Sequence, residues 1–173
     1  VEQRQANTDG DAHEGGPGYE VASDGTFGAP LELAYPYSRT VGPTYQRFLE
    51  GLAAGQLLGT RADDGTVVVP AGEFDPRSGA PLTEWVEVGP AGEVVSWSWE
   101  PAPDASSPLA EPFAWVLVRP DGADTAMVHA CAASGPDAMR VGMRVQARFV
   151  TGAAPSIEAL ECFEPIGDPG TEA

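Results

Sequence analysis

Lysine does not occur in this chain of 173 residues. Its nine basic residues are all arginine and face 26 carboxylates, for a net charge of −17. A field of that sign repels a phosphate backbone and an anionic leaflet, which argues against nucleic acid or a membrane as partner. Recognised catalytic signatures are missing as well. The sequence contains no G-x-S-x-G, P-loop, dinucleotide fingerprint or H-E-x-x-H. Histidine occurs twice and cysteine twice. No basic segment followed by an apolar stretch opens the sequence, and no apolar run reaches about 18 residues. A cytoplasmic protein is the expectation.

What is present falls into blocks. Residues 1–32 carry seven carboxylates, one arginine and few large apolar groups. They bury too little surface to offset the entropy of ordering, so a disordered acidic arm is expected there. Residues 167–173 read as a flexible tail for the same reason. The remaining stretch, about 135 residues, is long enough for one hydrophobic core. It begins with an extension and a helix over 33–56. Pro43 suits a first helical turn. Tyr45, Phe48, Leu49 and Leu52 repeat at helical spacing, and Gly55 supplies a stop. Gly51 costs that helix about 1 kcal/mol relative to alanine, which points to a close approach by another element. Either the helix covers its own domain or it packs on another protein.

From Leu57 onward nearly every segment reads as strand. Short runs at 57–61 and 66–70 flank the turn Asp63-Asp64-Gly65. Longer runs follow at 82–88, 92–100, 112–118, 124–132, 142–150 and 157–163. Alternation places Val95, Trp97 and Trp99 on one face, Met143, Val145, Ala147 and Phe149 on another, and Ile157, Ala159 and Phe163 inward. A proline-rich loop spans 100–112. The chain is therefore mainly β. Count and spacing suit a small closed barrel of OB type, and a flattened sandwich nearly as well.

Chemistry is sparse. His13 lies in the arm, which leaves His129, and Cys131 two positions on shares its face of one strand. Such a pair would supply a nucleophile and a base. The competing reading is that both simply pack, since they sit in the apolar stretch AMVHACA. Cys131 and Cys162 read as buried free thiols, with a disulfide open only if their strands are neighbours. Asp63, Asp64, Glu73 and Asp75 offer oxygens for a hard cation but lack EF-hand spacing. The other carboxylates read as a solvated coat. Four tryptophans exceed what a small core needs, and tryptophan is seldom fully buried. Phe74, Trp85 and Trp115 are therefore candidate interface anchors, with Tyr45, Phe48 and Leu52 on the helix.

The motifs have a recognisable order. A helix ends in FLEGL at 48–52, then come RADDG at 61–65, VVVPA at 67–71 and DPRSG at 75–79. AGEVVSW at 91–97, PFAWVLV at 112–118 and VGMRVQARF at 141–149 follow. This order resembles the thiolase-associated proteins that join a rubredoxin-like zinc ribbon to an OB-fold, the family called domain of unknown function 35. The resemblance covers about residues 40–163. It implies a degenerate ribbon over 57–81 and a five-stranded OB-type barrel over 82–166. The four zinc ligands of that family would fall on Arg61, Asp64, Asp75 and Ser78, none of them cysteine. Arginine is no ligand here, and two carboxylates with a hydroxyl make a poor zinc cage. The ribbon is thus expected to be metal-free, held by its turns at Gly65 and Gly79 and by an Arg61–Asp75 or Asp64–Arg77 ion pair, worth roughly 0–1 kcal/mol.

The resemblance also implies a role. Family members look like accessory subunits of thiolase-fold enzymes, including aldolases that release steroid side chains from CoA thioesters. The expectation is a non-catalytic subunit in a hetero-oligomer with a thiolase-like or aldolase catalytic subunit. The complex would take a CoA thioester as substrate, and this chain would bind no cofactor of its own. The alternatives are a subunit of a thiolase or ketoacyl-CoA synthase, a free-standing acyl-CoA-binding module, and an enzyme centred on His129 and Cys131.

Overall fold

Hydrogen-bond ladders settle which strands belong together. The computed structural model describes residues 20–21, 24–25, 27–28 and 40–167. Most of the arm expected at 1–32, with His13, lies outside the described residues, as do 33–39 and the tail from 168. The chain divides into two units, 1–39 and 40–173. In the first, β1 (Glu20–Val21) pairs antiparallel with β2 (Phe27–Gly28). This small ribbon stands where composition predicts no order.

The second unit opens with α1 (Gly42–Ala53), whose Pro43 occupies the first turn. Its end follows from backbone geometry. Gly55 adopts φ +78°, so its N–H reaches the Leu52 carbonyl at 3.0 Å and the Gln56 N–H reaches that of Gly51 at 2.8 Å. Two carbonyls that the helix leaves open are satisfied this way. Phe48 and Leu52 face the core. A Cβ on Gly51 would lie 2.7 Å from Leu58 Cδ1, so the close approach expected at this glycine is made by the next strand.

That strand, β3 (Leu57–Arg61), is the centre of a three-stranded antiparallel sheet. β4 (Val67–Val68) and β5 (Glu84–Val88) flank it. Thr60, buried within the sheet, is satisfied because its hydroxyl donates to the Gly72 carbonyl and accepts from the Gly72 N–H, both at 3.1 Å. The placement of β5 corrects the expected barrel boundary at 82. β5 pairs with β3, residue by residue from Leu57–Val88 to Arg61–Glu84. Alternation in 82–88 announces a strand, but only the register names its neighbour.

The remaining strands are β6 (Ala91–Glu100), β7 (Phe113–Pro120), β8 (Met127–Cys131), β9 (Arg144–Phe149) and β10 (Leu160–Pro165). They close a barrel in the order β10-β8-β7-β6-β9. β8 and β10 run parallel and the other pairs antiparallel. This is the Greek-key order of a five-stranded OB-fold. The interior collects Val94, Val116, Val118, Met127, Val145 and Phe163.

A bulge in β6 corrects the expected face of that strand. The register against β7 shifts between Val94 and Ser96, so inward and outward exchange there. Val94 is fully buried while Val95 turns to solvent, and beyond the bulge Trp97 and Trp99 pack against the core. At β10, Ile157 is exposed although expected inward, because a single 3₁₀ turn, Ile157–Ala159, precedes the strand. Ala159 and Phe163 are buried as expected.

Candidate functional site

Cys131 and Cys162 lie on neighbouring strands, yet the register keeps them apart. Phe163 stands opposite Cys131 across the parallel pair, so Cys162, one residue earlier, faces the other side of the wall. Cys131 belongs to the barrel interior. Cys162 belongs to a second cluster with Phe113 and Ala130 on the outer face, covered by Leu109 of the 100–112 loop. Both thiols are free and buried.

The environment of His129 and Cys131 favours packing over catalysis. Burial pushes the Cys131 thiol up to about 12, so almost no thiolate forms at neutral pH. His129 is nearly enclosed. Its Nε2–H donates to the Leu160 carbonyl at 2.6 Å, and its ring meets Phe163 edge-on at 6.3 Å between centroids. This side chain ties β8 to β10 beyond their short ladder. Burial lowers the His129 pKa from its ordinary 6.5. The folded state therefore keeps a neutral ring where the unfolded chain takes up a proton. Stability is full above about pH 6.5 and falls as the pH drops below it, because the unfolded state then binds more protons. In His129→Gln the slope of unfolding free energy against pH just below about 6.5 should flatten. Parallel urea titrations of both proteins check this, and identical slopes would contradict it.

The degenerate ribbon is closed by carboxylates bonded to backbone amides. Asp64 Oδ1 accepts from the Thr66 N–H at 2.9 Å. Asp75 accepts from the Arg77 N–H at 3.0 Å, from the Ser78 N–H at 3.3 Å, and from the Ser78 hydroxyl. These bonds hold both carboxyls below the usual carboxylate range. Of the two expected ion pairs, Asp64–Arg77 is present at 3.5 Å. Arg61 instead pairs with Glu84 at 2.9 Å, because β5 brings that carboxylate alongside. The four positions do not fit zinc. Arg61 is turned to Glu84, and the oxygens of Asp64, Asp75 and Ser78 are already engaged in turns. Among the described residues, Asp63, Asp64, Glu73 and Asp75 are not gathered into a metal-holding cluster.

The expected partner anchors divide into three groups. Phe48 and Leu52 are a correction: both are buried in this chain's own core, since the helical stripe they form is what docks α1 on its own sheet. Trp85 is half-buried, and the Arg47 guanidinium lies over its ring, 4.4 Å from the centroid. Tyr45, Phe74 and Trp115 are exposed. Trp115 opens onto a feature that the sequence did not announce. A groove of about 750 Å³ lies along the wall where β8 approaches β10. Trp115, Val128, His129, Ile157 and Leu160 line it, with Pro108 from the loop. Alternating exposed positions at Trp115 and Val128 were the available signal, but their proximity depends on the β7–β8 register.

No curated protein matches the sequence. Residues 85–150 match the family described as the C-terminal OB-fold domain of ChsH2. A chain of the structure described as "Ltp2-ChsH2(DUF35) aldolase" superposes with a TM-score of 0.57 at 22% identity, covering 74% of this chain and 98% of that one. A DUF35-family protein of unknown function from Sulfolobus solfataricus superposes with a TM-score of 0.52 at 19% identity, covering 72% and 84%. At these identities the superpositions establish the fold. No helix among the described residues is long and apolar enough to cross a membrane.

Proposed function

We propose, for a chain whose residues 85–150 match the ChsH2 C-terminal OB-fold family, that it serves as the non-catalytic subunit of a two-component aldolase. The observation that carries this reading is the superposition on a chain of the structure described as "Ltp2-ChsH2(DUF35) aldolase", of which it covers 98%. The local chemistry agrees. The Cys131 thiol is enclosed and far from ionisation, and His129 spends its Nε2 proton on a backbone carbonyl.

The catalytic partner is a thiolase-fold protein, and the substrate a β-hydroxyacyl-CoA thioester of the steroid side-chain type. In the partner's site a base takes the β-hydroxyl proton and the Cα–Cβ bond breaks toward an enolate. The β-carbon leaves as a ketone or aldehyde, and protonation of the enolate yields the shortened acyl-CoA. Donors on the thioester oxygen stabilise that enolate. This subunit supplies no bond-making group, no cofactor and no zinc. Its charge of −17 disfavours holding the CoA phosphates alone.

Co-expression with a thiolase-fold aldolase subunit is the test. The two should elute as one complex that cleaves a β-hydroxyacyl-CoA, and the complex should keep its rate when His129→Gln and Cys131→Ala are combined. The isolated chain should be inactive. Separate elution, or turnover by this chain alone, would overturn the proposal.

A further inference from the structure

Three large apolar side chains stand open around one groove: Trp115, Val128 and Ile157, at 39%, 62% and 47% exposure. They come from β7, β8 and the turn leading into β10, so the closed barrel fixes their spacing. The wall behind them is already packed. Phe113, Ala130 and Cys162 are fully buried there, and the Phe113 ring meets Trp115 edge-on with centroids 5.1 Å apart. Trp115 is therefore held by a neighbour, and little side-chain freedom remains to be lost when something covers it.

The rim is acidic. Glu158 and Glu161 line the groove, and no arginine does. Arg148 answers Glu161, with contacts at 2.8 and 3.0 Å. Glu158 has no cationic partner among the described residues. Charge then discriminates among occupants. A CoA thioester would bring phosphates to an acidic rim on a chain of charge −17. A second copy would bring a second acidic rim. A foreign protein with basic residues beside an apolar side chain meets both the groove and Glu158 favourably.

We propose that this groove receives the catalytic subunit. The segment that docks there places an aliphatic or aromatic side chain between Trp115, Val128 and Ile157, and an arginine or lysine against Glu158. The inference rests on the accessory-subunit reading and adds the surface through which it works. A central aromatic beside aliphatic walls, fixed before binding, is the composition of an interface hot spot.

The test uses the full chain with three single variants, Val128→Glu, Ile157→Glu and Glu158→Arg, each titrated against the co-expressed thiolase-fold subunit. All three residues are exposed, so melting temperatures of the free chain should stay within about 2 °C of wild type. Val128→Glu and Ile157→Glu should each weaken the complex by about tenfold or more. Glu158→Arg should weaken it about threefold or more and flatten its dependence on salt. Affinities within twofold of wild type for all three would overturn the groove assignment and leave the accessory role standing. A wild-type chain that does not bind the subunit would overturn both. Loss of self-association in Val128→Glu, with the hetero-complex unchanged, would assign the groove to a second copy and overturn the proposal.

Discussion

Leu52→Ala should cost the 40–167 region about 2–5 kcal/mol, the largest single-residue effect expected here outside an aromatic deletion. Leu52 is fully buried where α1 meets the sheet, in one continuous core with Phe48, Leu57, Val67, Val69 and Val88. Truncation removes the transfer free energy of three carbons and leaves a cavity. The core cannot close over it cheaply, because Gly51 and Leu58 already touch at the helix surface. Tyr45→Ala, on the exposed side of the same helix, should change stability by about 0.5 kcal/mol or less. Urea unfolding of the two variants side by side gives the comparison. Equal effects would mean that α1 is not docked as described.

The second large effect concerns the stitch between ribbon and barrel. The free edge of β4 is not left open, because the β7–β8 connection supplies it with partners. Asp124 Oδ2 accepts from the Val67 N–H at 2.7 Å, and the Asp124 N–H donates to the Val67 carbonyl at 2.9 Å. The Thr125 hydroxyl accepts from the Val69 N–H at 2.7 Å and donates to the Val69 carbonyl at 2.8 Å. Val67 and Val69 are both buried, so a lost partner leaves a backbone group unpaired. Thr125→Val keeps the shape and removes both bonds to Val69, at about 1–3 kcal/mol for each unpaired group. Asp124→Ala adds a similar loss at Val67. Hydrogen exchange at the Val67 and Val69 amides should accelerate in step with the loss of stability. Unchanged protection in the double variant would show that packing alone holds the ribbon.

The sequence disclosed elements more readily than their partners. The helix was legible because Tyr45, Phe48, Leu49 and Leu52 repeat at its period and Gly55 can adopt the conformation that ends it. The strands were legible because glycine-bearing turns punctuate them. Four features escaped, each for a physical reason. β5 carries the alternation of any half-buried strand, so its pairing with β3 was invisible until the register was known. The bulge at Val95 inverts the facing of β6, and nothing in a run of Val, Ser and Trp marks where the extra residue enters. Phe48 and Leu52 read as anchors because an apolar stripe looks the same whether its own domain or a foreign one covers it. Tyr45, Phe74 and Trp115 did emerge at the surface. The groove did not, since Trp115, Val128 and Ile157 become neighbours only through barrel closure.

The carboxylate turns of the ribbon have a consequence for the conditions under which this fold holds. A knuckle closed by thiolates fails when metal runs short or when an oxidant reaches its sulfurs. Asp64 and Asp75 bonded to backbone amides are indifferent to both. Their weakness is acid. Both carboxyls are held below their ordinary 3.8 in the folded chain, so their support is intact above that value and goes as the pH falls through the lowered one. Chelators and peroxide should spare this ribbon, and only strong acidification should loosen it.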